Sequence, residues 1–285
     1  MPTEINTLVA DARRRLRAAG IPADEASLDA RLLAQYALGW DAARLMTHGD
    51  EVATSQFQHA YELLVSRRFC REPLAYITGT REFWNLAIEV TPAVLIPRPE
   101  TELLIETAVE YFERTQPIRI ADVCTGSGCV AVGLGREFPR ATIVASDISP
   151  DALDVARRNV ARYGLASRVA CTCADLLAGL AGPFDLVVAN PPYVPATEAP
   201  QLQPEVREFE PAGALFAGEH GLHIVRRLVR ESAAALAADG VLMFEFGAGQ
   251  EAAIDRIVAD LPALMLAEVK RDLQDIPRVA VVRRR

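Results

Sequence analysis

From residue 118 onward, short apolar segments with strand character alternate with segments of helical periodicity. We predict helices at residues 130–138, 150–163, 221–238 and 250–261, and strands at residues 118–123, 141–146, 169–173, 184–189, 241–246, 264–269 and 279–283. Repeated strand–helix–strand units favour an α/β fold whose mostly parallel, seven-stranded sheet carries helices on both faces. In such a sheet ligands bind beyond the carboxyl ends of the strands, so residues that follow strands are the first candidates for function.

The part of the chain before residue 96 has two other patterns. Apolar residues recur at helical spacing in residues 1–72, which predicts a small helical N-terminal domain. Residues 73–95 carry β-branched and aromatic residues around turn signals, which predicts a β-hairpin linker. Residues 96–285 then form the α/β domain, and we expect Thr101 to cap its first helix.

The composition argues against several classes of protein. The net charge is −8, whereas proteins that bind duplexes carry basic surfaces, because phosphate neutralisation supplies most of their affinity. The chain has no uncharged apolar stretch of about 18 residues, no apolar signal-peptide core at its start, and an odd number of cysteines, five. The cysteine and histidine spacings do not match a zinc site. We therefore expect a cytoplasmic monomer with no membrane, direct nucleic-acid or metal partner.

The first loop with chemical character follows the first predicted strand of the α/β domain. It contains Cys124, Thr125, Gly126, Ser127 and Gly128, and Asp147 ends the next strand 21 residues after Gly126. Glycines let the backbone pass close to a ligand, and a carboxylate at this spacing can accept hydrogen bonds from both ribose hydroxyls. The loop alone is typical of nucleotide-binding proteins, NAD enzymes included. Asp122 favours a cofactor with a cationic methionine moiety, because an acid sits poorly beside a pyrophosphate.

The second loop, Asn190-Pro191-Pro192-Tyr193, follows the apolar strand predicted at 184–189. An amide or exocyclic amine nitrogen is a poor nucleophile because its lone pair is delocalised. The Asn190 side-chain oxygen can accept one N–H of such a group and the Pro191 carbonyl the other, while Tyr193 stacks on its plane. Alignment of this kind can supply roughly 7–11 kcal/mol of the barrier without a strong base. The loop therefore indicates methyl transfer to an amide or amine nitrogen.

The ordered set of motifs resembles the HemK/PrmC family, the peptide chain release factor N5-glutamine methyltransferases. The resemblance rests on the two loops and on Pro73-Leu74-Ala75-Tyr76-Ile77-x-Gly79, Arg81-Glu82-Phe83, Ile96-Pro97-Arg98-Pro99-Glu100-Thr101-Glu102 and Phe209-Glu210-Pro211. It implies a class I, Rossmann-like methyltransferase domain that uses S-adenosylmethionine, and a helical N-terminal domain that engages the substrate. The implied substrate is the glutamine of the Gly-Gly-Gln motif in class I release factors, methylated on its side-chain amide nitrogen.

The resemblance also assigns roles to single positions. It implies catalytic roles for Asn190, Pro191 and Tyr193, and binding of the substrate glutamine by these residues together with Pro192. The implied cofactor-binding residues are Cys124, Thr125, Gly126, Ser127, Gly128, Asp147, Leu176 and Asn190. Cys124 stands where the family usually has glycine, and Leu176 where an aromatic residue is common. We expect these departures to alter cofactor affinity without abolishing binding, because the two glycines of the loop remain.

Three alternatives stay open at this stage. A sister glutamine methyltransferase that acts on a ribosomal protein would share both loops, although residues 96–102 resemble the release-factor branch more. An adenine-N6 DNA methyltransferase would use the same loop, Asn190-Pro191-Pro192-Tyr193, which we call the acceptor loop. The acidic charge and the lack of a separate basic recognition domain oppose this alternative. A cofactor-binding but inactive module is suggested by Cys124, against which Asn190 and Tyr193 are retained.

Overall fold

The computed structural model describes residues 3–285, which divide into two compact units. The helices are α1 (Ile5–Ala18), α2 (Ala23–Leu38), α3 (Ala42–His48), α4 (Ser55–Phe69), α5 (Leu74–Thr78), α6 (Glu102–Tyr111), α7 (Cys129–Glu137), α8 (Pro150–Arg162), α9 (Pro204–Phe209), α10 (Ala212–Leu215), α11 (His223–Ala235) and α12 (Glu251–Ala259). The strands are β1 (Thr80–Phe83), β2 (Leu86–Glu89), β3 (Arg119–Val123), β4 (Thr142–Asp147), β5 (Val169–Cys173), β6 (Phe184–Ala189), β7 (Leu236–Glu245), β8 (Leu264–Arg271) and β9 (Pro277–Arg284). Within residues 3–285, no helix has the length and apolar character to cross a membrane.

The helical unit contains the described residues up to Gly79 together with the separate segment Gln203–Phe209. Helices α1, α2 and α4 pack their apolar faces into one core, in which Leu16, Leu33 and Phe57 are buried. Such residues recur every three or four positions, so each helix presents one apolar stripe. The Tyr61 hydroxyl, which burial leaves without water, donates a hydrogen bond to the carbonyl of Ala30 at 2.8 Å.

A buried ionic cluster holds the segment Gln203–Phe209 on the helices of this unit. The Arg68 guanidinium donates to the Asp29 carboxylate at 2.7 Å and to the Glu205 carboxylate at 2.9 Å. Arg71 donates to the second oxygen of Glu205 at 2.6 Å. Arg68, Asp29 and Glu205 expose only 4%, 6% and 9% of their surface, so water cannot replace a missing partner. The segment is therefore retained by charge pairs whose members depend on one another.

Replacing Arg68 by alanine should destabilise the helical unit by about 3–5 kcal/mol, because two buried carboxylates lose their shared cation. Arg67→Ala is the matched control, since the neighbouring Arg67–Glu72 pair is exposed and exposed pairs contribute about 0.2–1 kcal/mol. Urea unfolding followed by circular dichroism measures both changes. Equal losses in the two variants would contradict the role assigned to Arg68.

The larger unit contains residues 80–202 and 210–285 and confirms the predicted α/β fold. Its seven strands run in the order β5-β4-β3-β6-β7-β9-β8. Strands β5, β4, β3, β6 and β7 are parallel to one another, while β9 runs antiparallel to both β7 and β8. The chain proceeds from β3 outward through β4 and β5, then returns to the other side of β3 with β6. The order therefore reverses between β3 and β6, which is where such sheets bind ligands.

Two segments differ from the sequence prediction. Residues 74–78 form helix α5 rather than the start of a hairpin, because Ile77 is buried in the helical core and Gly79, at φ 75°, ends the helix. The hairpin is confined to β1 and β2, whose two-residue turn has Trp84 and Asn85 at positive φ. Residues 236–238 belong to β7 rather than to the preceding helix, since Leu236 already pairs with Phe184 of β6.

Candidate active site

Three neighbouring strands, β3, β6 and β7, end in register at the carboxyl edge of the sheet. Cys124 and Asn190 are the first residues beyond β3 and β6, and Glu245 is the last residue of β7. The parallel pairing brings these three positions side by side, although they are far apart in sequence. On the other side of β3, strand β4 ends at Asp147.

A cavity of about 420 Å³ opens at this edge, within the size range of small-molecule sites. Eight of the residues predicted to bind cofactor or substrate line it: Cys124, Thr125, Gly126, Ser127, Asp147, Leu176, Asn190 and Pro192. Gly128, Pro191 and Tyr193 were also predicted, and they lie in the same loops without lining the wall. The structure therefore brings both predicted loops to one cavity.

The glycine-rich loop between β3 and α7 has the backbone conformation that its sequence predicts. Gly126 has φ 53°, and a Cβ placed there would meet no atom within 4 Å, so its backbone borders open space. Gly128 has φ 77°, and a Cβ there would come within 3.1 Å of Ala156 in α8. Asn159, also in α8, donates to the Ser127 carbonyl at 2.8 Å and fixes the loop from behind. The left-handed backbone favours glycine at both positions, and at 128 the close packing of α8 adds to that preference.

Cys124 and Leu176 both adopt the left-handed backbone region, at φ 58° and 54°. A side chain in that region costs about 1–2 kcal/mol relative to glycine, so both positions carry backbone strain. Burial raises the pKa of the Cys124 thiol, so it stays a neutral group in the cavity wall. The Leu176 side chain is buried and forms an apolar part of the same wall.

Two carboxylates lie on the side of the cavity formed by β3 and β4. Asp122 is 1% exposed, and its Oδ2 accepts hydrogen bonds from the Thr125 hydroxyl at 2.5 Å and from the Ala131 N–H at 3.1 Å. Burial raises the pKa of Asp122 to about 7 against the opposing effect of these two donors. Asp147 accepts from the N–H groups of Gly126 at 2.9 Å and Ser149 at 3.0 Å. The first carboxylate is buried beneath the loop, and the second ties the loop to β4.

The acceptor loop is held by a chain of hydrogen bonds that runs through Glu245. The Tyr193 hydroxyl donates to one Glu245 oxygen at 2.8 Å, and the Thr101 hydroxyl donates to the other at 2.7 Å. The Asn190 side-chain amide in turn donates to the Thr101 oxygen at 3.0 Å. Glu245 is 1% exposed, and burial raises its pKa while the two hydroxyl groups oppose that shift.

Thr101 lies at the N-cap position of α6, as the sequence predicted, but the capping hydrogen bond expected of it is absent. Its side chain makes no capping hydrogen bond and is engaged with Glu245 and Asn190 instead. The sequence analysis did not identify Glu245 or Gln250 as residues of the site. The Gln250 side chain donates to the Tyr193 carbonyl at 3.0 Å. A signal for Glu245 was present, since it is a lone acid in the otherwise apolar segment 241–246 and marks the carboxyl end of a strand.

Comparison with known proteins agrees with this geometry. Residues 7–79 match the PrmC N-terminal domain, and residues 99–205 match the methyltransferase small domain. The chain is 42% identical over 280 residues to the release factor glutamine methyltransferase of Bradyrhizobium diazoefficiens, covering 95% of this chain and 91% of that one. The protein of the same name from Koribacter versatilis is 40% identical over 275 residues, covering 96% of each.

Among solved structures, ribosomal protein L11 methylase from Lactobacillus delbrueckii subsp. bulgaricus has the same fold, with a TM-score of 0.51 and 23% identity over 70% of this chain and 85% of that one. The fold is therefore that of a Rossmann-like methyltransferase. The family resemblance seen in the sequence motifs is confirmed by relatives of about 40% identity that span nearly the whole chain. This chain belongs to the family of release factor glutamine methyltransferases.

Proposed function

We propose that this protein transfers a methyl group from S-adenosylmethionine to the side-chain amide nitrogen of the glutamine in the Gly-Gly-Gln motif of class I release factors. The observation that carries the proposal is the position of Asn190, which lines the ligand cavity and begins the loop suited to gripping a planar NH₂ group. The named activity of relatives that align over nearly the whole chain supports the same reaction.

The residues around the cavity fit S-adenosylmethionine. The open backbone at Gly126 leaves room for close approach, and Asp147 has the position to accept hydrogen bonds from ribose hydroxyls. Asp122 supplies a buried carboxylate for the cationic end of the molecule. Cys124 and Leu176 contribute neutral or apolar surface beside them. When bound, S-adenosylmethionine supplies an electrophilic methyl group on a positively charged sulfur.

The acceptor loop performs the other half of the reaction. Asn190 accepts one N–H of the substrate amide through its side-chain oxygen, and the Pro191 carbonyl accepts the second. Tyr193 packs its ring against the plane of the amide. The Tyr193 hydroxyl is committed to Glu245, and burial together with that carboxylate raises its pKa, so it does not act as a base. The substrate nitrogen would form a bond to the methyl carbon as the bond from that carbon to sulfur breaks, which would leave S-adenosylhomocysteine, and the nitrogen would then lose one proton to water.

The helical unit, which matches the PrmC N-terminal domain, is the part proposed to engage the release factor. The net charge of −8 opposes direct binding of nucleic acid, so recognition is proposed to rest on protein surface alone. The protein is proposed to act as a monomer in the cytoplasm, where release factors and S-adenosylmethionine are both present.

Labelled S-adenosylmethionine, a class I release factor and its Gln→Ala variant at the Gly-Gly-Gln motif test the proposal directly. Label is expected on the parent factor and not on the variant, which identifies reaction, substrate and residue together. Label on DNA or on a ribosomal protein instead would retain methyl transfer and reject the release factor. Cofactor binding with no transfer to any acceptor would indicate an inactive module.

Asn190→Ala should lower turnover by about 10²–10³-fold, the loss typical of removing one preorganised polar contact from a catalytic site. Its dissociation constant for S-adenosylmethionine should stay close to that of the parent, because most of the cavity wall is unchanged. Single-turnover transfer and isothermal titration measure the two quantities. Turnover near the parent rate would remove Asn190 from the acceptor grip.

Affinity for S-adenosylmethionine should rise as the pH increases through about 7, the pKa of Asp122 in the protein without cofactor. Below that pH the carboxyl is protonated, so placing a cation beside it requires release of a proton. The neighbouring Asp147 raises the pKa of Asp122, and the thiols of Cys124 and Cys129 are neutral because burial raises their own pKa values. The change approaches about 10-fold per pH unit well below 7, which corresponds to one proton.

S-adenosylhomocysteine is the matched ligand for this experiment, because its sulfur is uncharged and its other groups are the same. Titration calorimetry from pH 5.5 to 8.5 should show a steeper dependence for S-adenosylmethionine than for S-adenosylhomocysteine, and Asp122→Asn should remove the difference. Parallel pH profiles for the two ligands in the parent protein would show that Asp122 does not face the sulfonium.

A further inference from the structure

We propose that Thr101 and Glu245 are positioning residues that fix which side of the Asn190 amide faces the group to be methylated. They thereby select a substrate NH₂ group over a carboxylate. The inference rests on the proposed function for the identity of the acceptor, a glutamine amide. It adds two residues outside the acceptor loop, one beside helix α6 and one at the end of β7, that set the polarity of the loop.

The direction of each hydrogen bond follows from Glu245. An ionised carboxylate can only accept, so the hydroxyl hydrogens of Thr101 and Tyr193 must both point at it. Burial raises the pKa of Glu245 and the charge of Glu100 adds to that effect, whereas the two hydroxyl donors and the positive charge of Arg278 oppose it. Each Glu245 oxygen has one hydroxyl within hydrogen-bond distance, so in the ionised form of Glu245 both hydroxyl groups are committed as donors before any substrate arrives.

With its hydrogen directed at Glu245, the Thr101 oxygen can only accept. The group 3.0 Å from it must then be the NH₂ side of the Asn190 amide, since the carbonyl side would place two acceptors together. The Asn190 oxygen is left on the other side of the amide and available to the cavity that this residue lines. The orientation of Asn190 is thus a consequence of the charge on Glu245, two hydrogen bonds away.

The same carboxylate holds the other element of the acceptor grip. Tyr193 is bonded through its hydroxyl to Glu245 and through its carbonyl to Gln250, whose side-chain oxygen accepts from the Gly247 N–H at 2.8 Å. Gly221 packs so closely against this loop that a Cβ at residue 221 would lie 2.1 Å from the main-chain carbonyl oxygen of Tyr193. Ring and amide are therefore set relative to one another by a single buried charge.

The consequence for specificity is chemical. A site that presents two acceptors, the Asn190 oxygen and the Pro191 carbonyl, satisfies a primary amide, which has two N–H donors. A carboxylate has no donor and would leave these oxygens facing its negative charge. Sites built to hydrogen-bond an N–H group reject analogues that lack it by about 10⁴–10⁵-fold. If the Asn190 side-chain amide were reversed, its NH₂ group would face the substrate in place of its oxygen, and the site would no longer favour an NH₂ group over a carboxylate.

Thr101→Val and Thr101→Ser are the matched variants, because valine keeps the shape of threonine and serine keeps its hydroxyl. Thr101→Val should lower kcat on the release factor by about 10²-fold, as for loss of one preorganised contact. The cofactor dissociation constant should stay near the parent value, whereas the thermal unfolding midpoint should fall, because the buried Glu245 carboxylate loses one of its two hydroxyl donors. Thr101→Ser should recover most of the turnover. A merely structural role would lower the midpoint of Thr101→Val and leave its kcat near the parent value.

Glu245→Gln provides the second test and keeps the side-chain volume. A glutamine offers one acceptor and one donor, so either Thr101 or Tyr193 must turn from donor to acceptor, and kcat should fall about as far as in Thr101→Val. The double variant should be no worse than either single variant, because the two residues act as a unit. Additive losses, or turnover of Thr101→Val within about 3-fold of the parent, would overturn the inference.

The labelling experiment with the unsubstituted protein tests the proposed function separately from the positioning role. If the parent labels another acceptor in place of the release factor, the proposed substrate is rejected, and the valine–serine comparison is made on that acceptor. The prediction is unchanged there, since Asn190 would grip any planar NH₂ group in the same way. Loss with valine and recovery with serine supports the positioning role, and equal turnover of the two variants overturns it.

Discussion

The parallel hydrogen bonding of β3, β6 and β7 is the constraint on which the site depends. Because these strands end in register, Cys124, Asn190 and Glu245 leave the sheet at one level, and the cavity forms where strand order reverses. A shift of the register by one residue would turn every side chain of the moved strand to the other face of the sheet. Every residue of β6 except Asp185 is apolar and buried, so such a shift would disrupt close packing on both faces of the sheet. Stability of the core and geometry of the site are therefore one requirement.

Two buried carboxylates, Asp122 and Glu245, lie at this edge of the sheet, and each accepts a hydrogen bond from a threonine hydroxyl. Thr125 donates to Asp122 on the cofactor side, and Thr101 donates to Glu245 on the acceptor side. Burying a carboxylate is costly unless donors or a cation compensate it. Arg278 contributes a positive charge toward Glu245 in the protein alone. The charges acting on Asp122 include a second carboxylate, so a cationic ligand would relieve its burial.

Local sequence patterns predicted the seven strands and both loops. Most of the strands are short apolar runs, and the glycines of the first loop indicate a turn in which the backbone can adopt positive φ. The hydrogen-bond network could not be predicted in the same way. Thr101 precedes a helix, which is where a capping residue is expected, yet its partner Glu245 is 144 residues away. A local pattern carries no information on such a partner. The helix at residues 74–78 was missed for a similar reason, since Ile77 is helical through its burial against distant residues.

The segment that follows the acceptor loop is anchored by charge rather than by apolar packing. Glu210 accepts from Arg98 at 2.5 Å and from the Ile96 N–H at 3.1 Å within the α/β unit, and Glu205 is bound by Arg68 and Arg71 within the helical unit. A short helix of six residues, α9, has too few residues to be stable by itself. Its order therefore depends on pairs whose partners come from elsewhere in the chain. Loss of one partner from a buried ion pair is strongly destabilising, because it leaves an uncompensated buried charge. The two glutamates thus make the path of the chain after Tyr193 a consequence of specific side chains rather than of loop propensity.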